Sequence, residues 1–134
     1  MKTPFKEKLT GTEFIFIIIS LIVIAISALY KKQIAEQIKN DYKVSVGYIV
    51  KYRPGVNVQS NIDYCYVADD SVSYYRTIDV DYKFKICQDF EKCKDKRYWV
   101  IYSSSNPKNS LINLNIEIQG IENPEFPKNL NDFK

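Results

Sequence analysis

The longest apolar run in the chain covers residues 14–30 and reads FIFIIISLIVIAISALY. It has no charged side chain, and its polar groups are Ser20, Ser27 and the Tyr30 hydroxyl. A helix rises about 1.5 Å per residue, so the run with its flanking residues is long enough to cross a bilayer. In lipid every backbone amide must be bonded within its own segment, which favours a helix despite the β-branched side chains. The pattern predicts one transmembrane helix at 14–30, after an N-terminal tail at 1–13.

Two other interpretations of this run stay open. Ala25-Ile26-Ser27 is a passable small-residue cleavage site for a secretory signal, but the apolar run continues past it, so we favour an uncleaved anchor. The stretch KLTGTEFIFIII places Gly11 ahead of an acidic residue and an apolar helix, and it resembles the leader junction of prepilins. In that family a Phe follows the glycine and the glutamate is the fifth mature residue, whereas here Thr12 follows Gly11 and Glu13 is second.

The lysines that flank the run do not orient it by themselves. Three lysines lie at positions 2, 6 and 8 before the run, and the four nearest lysines after it lie at positions 31, 32, 39 and 43. With the charge of the amino terminus, each side carries four positive charges. Positive charge marks the cytoplasmic side of a membrane helix, so this tie gives no direction. Because single anchors near an N-terminus often export their C-terminal domain, we expect the rest of the chain outside the cytoplasm.

Residues 31–42, KKQIAEQIKNDY, continue a helical pattern beyond the apolar run. Ile34 and Ile38 stand four positions apart among strong helix formers, and Asn40-Asp41 is a suitable end. The pattern predicts a solvated helical stalk with a narrow apolar stripe. A stripe that dimerises or lies on the membrane is the alternative.

From Lys43 onward the apolar positions recur every second residue, which is typical of strands. Five such segments are separated by turn or loop signals at Pro54-Gly55, 69–71, 87–95 and Asn106-Pro107, with a bend expected near 79–81. One face of the segments is apolar and the other mixed, as in a sheet that covers a core on one side. Residues 43–119 are therefore predicted to form a small antiparallel five-stranded β meander or barrel, and the fold class is α+β.

The alternation assigns an inward face to each strand. In the first strand the even positions from Val44 to Tyr52 share that face, and in the third Arg76 is the one residue that does not suit it. The tyrosines predicted to face inward are Tyr48, Tyr52, Tyr64, Tyr66, Tyr74 and Tyr82. Tyr75 is predicted to face outward, and with it Tyr98 or Tyr102. Exposed aromatic side chains are typical of surfaces that contact a partner or a glycan, but we favour tyrosines that pack a thin core.

The last residues, 120–134, contain two prolines and many polar side chains without periodicity. They are predicted to be a flexible tail, or to dock on the sheet through Phe126 and Phe133 alone. The predicted organisation is a tail (1–13), a transmembrane helix (14–30), a stalk (31–42), a β domain (43–119) and a second tail (120–134).

The chain has no histidine, so it lacks the usual general base near neutral pH and the commonest metal ligand. The spacing of Cys65, Cys87 and Cys93 matches no familiar zinc site, and we predict no metal and no cofactor. Cys87 and Cys93 are close enough in sequence for a disulfide that would leave Cys65 unpaired, but reduced thiols are the interpretation we favour.

Serines and acids carry the remaining candidate chemistry. The serines at 103–105 would need a base, and a Ser–Lys pair with Lys108 lacks the helical Ser-x-x-Lys signature, so this segment is predicted to be a turn. Asp69-Asp70 lies at a hairpin tip and offers too few oxygen ligands for calcium. Asp79 and Asp81 are predicted to form surface ion pairs with nearby lysines. The sequence therefore predicts no catalytic residue.

The charge of the chain argues against nucleic acid as a partner. Lys and Arg number 19 against 16 Asp and Glu, and no basic cluster is visible along the chain. Affinity for nucleic acid depends on such a cluster because it comes largely from neutralised phosphates. The lipid bilayer is the partner that the sequence predicts.

Three stretches carry a resemblance to a known group of proteins. They are GYIV at 47–50, KRYWVIYS at 96–103 and NPKNS at 106–110. In these stretches the chain resembles small single-pass membrane proteins of Bacteroidetes-type bacteria, which have a C-terminal β domain of no established function. The resemblance covers about residues 12–118 and departs at Asp95, where the group usually has a glycine. It implies a small β domain in which 106–110 is a structural turn, and it implies no activity.

These patterns together predict a non-enzymatic interaction or structural protein that one helix holds in the cell membrane. A pilin-like or filament subunit, assembled through residues 14–40, is the alternative. Neither hypothesis identifies a ligand, a protein partner or an oligomeric state.

Overall fold

The computed structural model describes residues 11–55, 59–81, 90–94, 96–120 and 124–134. Within them, helix α1 (Gly11–Asn40) is followed by one five-stranded antiparallel sheet, which confirms the predicted α+β class. The chain divides into two compact units, Met1–Gln33 and Ile34–Lys134. About two turns at the end of α1 therefore belong to the same unit as the sheet.

The apolar part of α1 has the length and composition of a membrane span. Among the described residues it is the one helix that meets both conditions, and its most apolar stretch is not buried anywhere in the protein. Ser27 Oγ donates to Val23 O at 2.8 Å, so this hydroxyl is hydrogen-bonded within the helix. A single apolar N-terminal helix of this kind is compatible with a membrane anchor.

The strands are β1 (Tyr42–Arg53), β2 (Gln59–Val67), β3 (Ser73–Asp81), β4 (Arg97–Ser103) and β5 (Ser110–Glu117). Their order in the sheet is β3-β2-β1-β4-β5, so β1 is central and β3 and β5 are the edges. The first three strands form a meander, and β4 then pairs with the other side of β1. The sheet does not close into a barrel.

One face of the sheet packs into the larger of two apolar cores. Its buried members are Ile49, Ile62, Tyr64, Tyr66, Ala68, Val80, Cys93, Tyr98, Val100, Tyr102, Ile112 and Leu114. Tyr66 lies at the centre of a stack in which its ring centroid is 6.1 Å from Tyr64, 5.9 Å from Tyr74 and 5.7 Å from Tyr102. The prediction that tyrosines pack this core is confirmed for Tyr64 and Tyr66.

The prediction that Tyr98 or Tyr102 faces outward is wrong, because both are fully buried in this core. Tyr75, by contrast, is 68% exposed as predicted.

Of the apolar residues that the alternation places on the inward face of the third strand, Val80 is buried in the larger core and Tyr74 and Ile78 pack against it. Val72, placed on the same face, is 48% exposed. The bend predicted near 79–81 is wrong, because β3 continues to Asp81 and pairs with β2 through Asp79, Val80 and Asp81 without a register shift. Tyr82 lies outside the described residues. In the charged stretch 87–95, the described part contains a short 3₁₀ turn at Phe90–Lys92.

The inward face predicted for β1 is also wrong. Val44, Tyr48 and Val50 are exposed, and Gly47 and Ile49 are buried instead. The register shifts between Ile49 and Lys51, where β1 has one residue more than β2. A bulge of this kind reverses the alternation along the strand, so Tyr52 returns to the core side although Tyr48 does not.

The end of α1 and the C-terminal residues cover part of the opposite face. The second core consists of the buried Ile38, Ile101 and Phe133 with Ile34, Tyr42, Trp99, Leu111, Phe126 and Leu130 packed around them. The solvated stalk predicted for 31–42 is therefore wrong at Ile38, which is 1% exposed. Its apolar stripe faces the sheet of its own chain.

The C-terminal residues 124–134 dock on the sheet, which was the alternative to a flexible tail. Phe126 lies edge-on to Trp99, with ring centroids 5.4 Å apart, and 5.7 Å from Phe133. Lys134 N donates to Ile112 O at 3.0 Å, and Ile112 N donates to Lys134 O at 2.9 Å. The chain end thus adds a pair of backbone hydrogen bonds to edge strand β5.

We expect Gly47→Ala to destabilise the sheet. A Cβ at Gly47 would lie 2.5 Å from Val100 Cγ2, and both residues belong to neighbouring central strands in the core. Urea unfolding of the full-length protein in mild detergent should show a loss of about 1–2 kcal/mol in unfolding free energy, as for other overpacked cores. Gly11→Ala is the matched control, because nothing lies within 4 Å of a Cβ there. An equal effect of both variants would contradict the close approach at Gly47.

We expect Phe133→Ala to destabilise the second core by about 3 kcal/mol, because it removes a buried aromatic ring. Trp99, the single tryptophan, lies in this core, so its fluorescence in urea reports the loss directly. Tyr75→Ala is the control and should change the unfolding free energy by no more than about 0.5 kcal/mol. If Phe133→Ala were as mild as the control, the docking of the C-terminal residues would not contribute to stability.

Candidate functional site

The connection between β4 and β5 is a turn that its own polar groups hold in place. Ser103 N donates to Asn109 O and Asn109 N donates to Asn106 O, both at 2.9 Å. Asn106 N donates to Ser103 Oγ at 3.2 Å, and Lys108 N donates to Asn106 Oδ1 at 3.3 Å. The predicted turn at Asn106-Pro107 is confirmed.

The serines of this connection make structural hydrogen bonds. Ser103 Oγ lies 3.0 Å from Ser105 Oγ, and Ser104 Oγ donates to Asp41 Oδ2. Within the described part of the chain, no hydrogen bond joins one of these hydroxyls to Lys108. The arrangement fixes the turn and does not assemble a Ser–Lys pair.

A groove of about 530 Å³ separates this turn from the end of α1. Its lining consists of Ile34, Gln37, Ile38, Asn40, Asp41, Ser103, Ser105, Asn106 and Asn109. Ser104 joins the two walls, because its N–H donates to Asp41 O at 3.2 Å and its hydroxyl donates to the Asp41 carboxylate. We call this site the Asp41 groove. Sequence reasoning missed it, because its walls are about sixty residues apart along the chain.

A second polar cluster connects the β2–β3 tip to β1 and β4. Asp69 Oδ2 is 2.7 Å from Lys43 Nζ, and Tyr102 Oη donates to Asp69 Oδ1 at 2.8 Å. The hydrogen bond from Lys43, followed by that from Tyr102, holds the pKa of Asp69 below its ordinary value. Asp70 accepts from Tyr74 Oη at 2.7 Å and from Val72 N at 3.0 Å. Both acids are exposed at the predicted hairpin tip, and their hydrogen bonds fix its shape.

A third cluster lies inside the larger core beside the β4–β5 turn. Tyr64 Oη is 2.9 Å from Ser110 Oγ, and burial raises the pKa of Tyr64 to about 12 although Ser110 and Arg76 oppose the increase. Tyr66 Oη donates to Pro107 O. Arg76, the residue that did not suit its strand face, donates from Nη1 to Lys108 O at 3.4 Å. These bonds attach the turn to β2 and β3.

The two cysteines that the structure describes are in different states. Cys93 is buried and disulfide-bonded, so the favoured prediction of reduced thiols is wrong for it, and its partner lies outside the described residues. Cys65 is a free thiol whose pKa is raised by burial, and a raised pKa keeps a thiol unreactive. Of the described residues, no three or more His, Cys, Asp or Glu are grouped to hold a metal ion.

Cys65 belongs to an apolar row on the part of the second face that the end of α1 and the C-terminal residues leave open. Tyr48 pairs with Cys65, and Cys65 pairs with Tyr75, so the three side chains cross β1, β2 and β3 in line. Tyr48 is 44% exposed and Val67, two positions after Cys65, is 52% exposed. The row is an aromatic surface open to solvent.

We compared the chain with protein families, curated proteins and solved structures. No protein-family model, no curated protein and no solved structure matches it. The resemblance to the single-pass membrane proteins described above stays a prediction.

We expect the Lys43–Asp69–Tyr102 cluster to make stability depend on pH at the acid end. Because the folded-state pKa of Asp69 lies below its unfolded value of about 3.9, its contribution is fully present above that pH and is lost as pH falls through the lower folded-state pKa. The urea midpoints of the native protein and Asp69→Asn should therefore differ at pH 6 and converge in strong acid. Glu125→Gln, which removes an exposed acid, is the control. A midpoint difference that did not change with pH would contradict this role.

Proposed function

We propose that residues 14–30 anchor this protein in the cell membrane and that residues 34–134 act outside the cytoplasm as a non-enzymatic interaction or structural domain. The observation that carries the proposal is a long apolar helix with no buried side chain in its most apolar stretch, joined to a domain with its own closed cores. In water, so much exposed apolar surface would drive aggregation, whereas the hydrocarbon of a bilayer satisfies it.

The disulfide at Cys93 supports the outward orientation. Disulfides persist in oxidising compartments such as the bacterial periplasm and the cell surface, and they are rare in the cytosol. The lysine count was equal on the two sides of the helix, so this bond supports an orientation that the flanking charges leave undecided. A cytoplasmic domain would be expected to keep Cys93 reduced.

The use of polar groups supports a binding or structural role over catalysis. The hydroxyls of Ser103, Ser104 and Ser105 hold a turn, and Asp69 and Tyr102 bond to each other. Among the described residues, a groove and an aromatic row are accessible, and both are suited to contact with other molecules.

The anchor and its orientation can be tested together in intact cells. We expect the full-length protein to stay in the membrane pellet after a carbonate wash, because a membrane-spanning helix is extracted only when detergent dissolves the bilayer. Protease added outside the inner membrane should digest 34–134 without cell lysis. If Cys93 is disulfide-bonded in the cell, alkylation of the unfolded protein should label more thiols after reduction than before it. Release of the protein into the soluble fraction by the carbonate wash would refute the anchor. Resistance of residues 34–134 to external protease in intact cells would refute the orientation.

A filament subunit is the second candidate, and one observation favours it. Helix α1 is continuous from Gly11 to Asn40, so the segment 14–40 predicted for assembly forms a single helix. N-terminal sequencing of the membrane-extracted protein distinguishes the two. Cleavage after Gly11 would favour the filament subunit, whereas an uncut N-terminus favours the simple anchor.

A further inference from the structure

We propose that the Asp41 groove binds a primary ammonium group, carried either by the headgroup of a phospholipid or by a small soluble amine. The lipid source rests on the proposed membrane anchoring, whereas the ammonium site itself does not. The groove is about 530 Å³, within the range of sites that hold a small molecule.

The electrostatics of the groove select a cation. Of the described residues in its lining, Asp41 is the one ionisable residue. No lysine or arginine lines the groove, and Lys43, which interacts electrostatically with Asp41, lies outside the lining and is held by Asp69. The walls also include the C-terminal end of α1, where backbone carbonyls without a helical partner concentrate partial negative charge. One carboxylate oxygen of Asp41 accepts from Ser104, and the other makes no hydrogen bond within the described chain.

The hydrogen-bonding groups select a primary ammonium over a quaternary one. Gln37, Asn40 and Asn109 line the groove, and their side-chain amides make no hydrogen bond to the described protein. With the free oxygen of Asp41, their carbonyl oxygens offer several acceptors to the three N–H donors of a primary ammonium. Quaternary ammonium groups bind in aromatic cages, and the described lining contains no aromatic residue.

The walls are held in place before any ligand arrives. Ser104 bonds to Asp41 through both its N–H and its hydroxyl, and the turn carries further backbone hydrogen bonds between Ser103, Asn106 and Asn109. Ile38, beneath the polar groups, is fixed in the second core. A pre-organised site loses little conformational entropy on binding.

The length of the chain limits how far the groove lining can lie from the end of the apolar run. Four peptide units separate Tyr30, the last residue of the apolar run, from Ile34 in the lining. Even a fully extended chain spans at most about 14 Å over that length. If 14–30 lies in a bilayer, the groove is within reach of the headgroup layer, where ethanolamine lipids present primary ammonium groups.

The first experiment tests the ammonium site with ethanolamine, using full-length protein in mild detergent. We expect ethanolamine to shift the NMR signals of the Asn106 and Asn109 side-chain amides, whereas tetramethylammonium at the same concentration, which has the charge but no N–H, should not. Asp41→Asn should weaken ethanolamine binding by at least about tenfold, the factor of one charge-assisted hydrogen bond. Glu125→Gln is the charge-matched control and should bind as the native protein does.

The second experiment tests the lipid source with the same proteins. After incubation with equal amounts of phosphatidylethanolamine, phosphatidylcholine and phosphatidylglycerol, the lipid that stays with the purified protein is measured by mass spectrometry. Enrichment of phosphatidylethanolamine that Asp41→Asn abolishes supports the headgroup. Binding of ethanolamine without lipid selectivity supports a soluble amine at the same site.

Two results would overturn the ammonium site. One is equal shifts from ethanolamine and tetramethylammonium, and the other is an Asp41→Asn protein that is folded and binds ethanolamine like the native protein. If Asp41→Asn does not fold, Gln37→Ala replaces it, because Gln37 is exposed and alanine suits a helix; an unchanged affinity would then count against the site. Flotation of the native protein with vesicles tests the anchor separately, so a failed anchor and a failed groove give different results.

Discussion

Strand β4 sends Tyr98, Val100 and Tyr102 into the larger core and Trp99 and Ile101 to the opposite face. A strand that is apolar on both sides must be covered on both, because burial of each large side chain is worth about 1.5–3 kcal/mol. On one side, Tyr98, Val100 and Tyr102 are buried against the tyrosines of β2 and against Cys93. On the other side the cover comes from the end of α1 and the C-terminal residues, which reach β4 from the two ends of the domain.

A core built from tyrosines has to provide partners for their hydroxyl groups, because a buried hydroxyl without one is costly. Tyr64 and Tyr66 find theirs in Ser110 and Pro107, and Tyr102 finds its partner in Asp69. These bonds fix the two connections of the sheet at this end, the β2–β3 tip and the β4–β5 turn. Tyr98 Oη is the exception among them, since it has no hydrogen-bond partner among the described residues.

The Asp41 groove follows from the same packing. Ile38 is drawn into the second core, which brings the end of α1 beside the β4–β5 turn, and Ser104 then closes the contact with Asp41. The polar residues on either side are left facing a shared space because the packed Ile side chains keep the two walls at a fixed separation. A segment that looks like a spacer in the sequence is therefore part of a wall.

The sequence by itself determined the apolar helix, the change from helical to strand periodicity, the five strands and the Asn106-Pro107 turn, because each depends on local spacing and turn chemistry. It also singled out Arg76, Phe126 and Phe133 as residues with a special position. Tertiary structure decided the phase of β1, the burial of Tyr98 and Tyr102, the docking of Ile38 and the joining of Asp41 to Ser104. A bulge reverses which residues face the core without leaving a mark in the spacing, and a strand covered on both faces has no outward side. Contacts between distant segments depend on which apolar surfaces find each other in three dimensions, and a one-dimensional pattern does not contain that information.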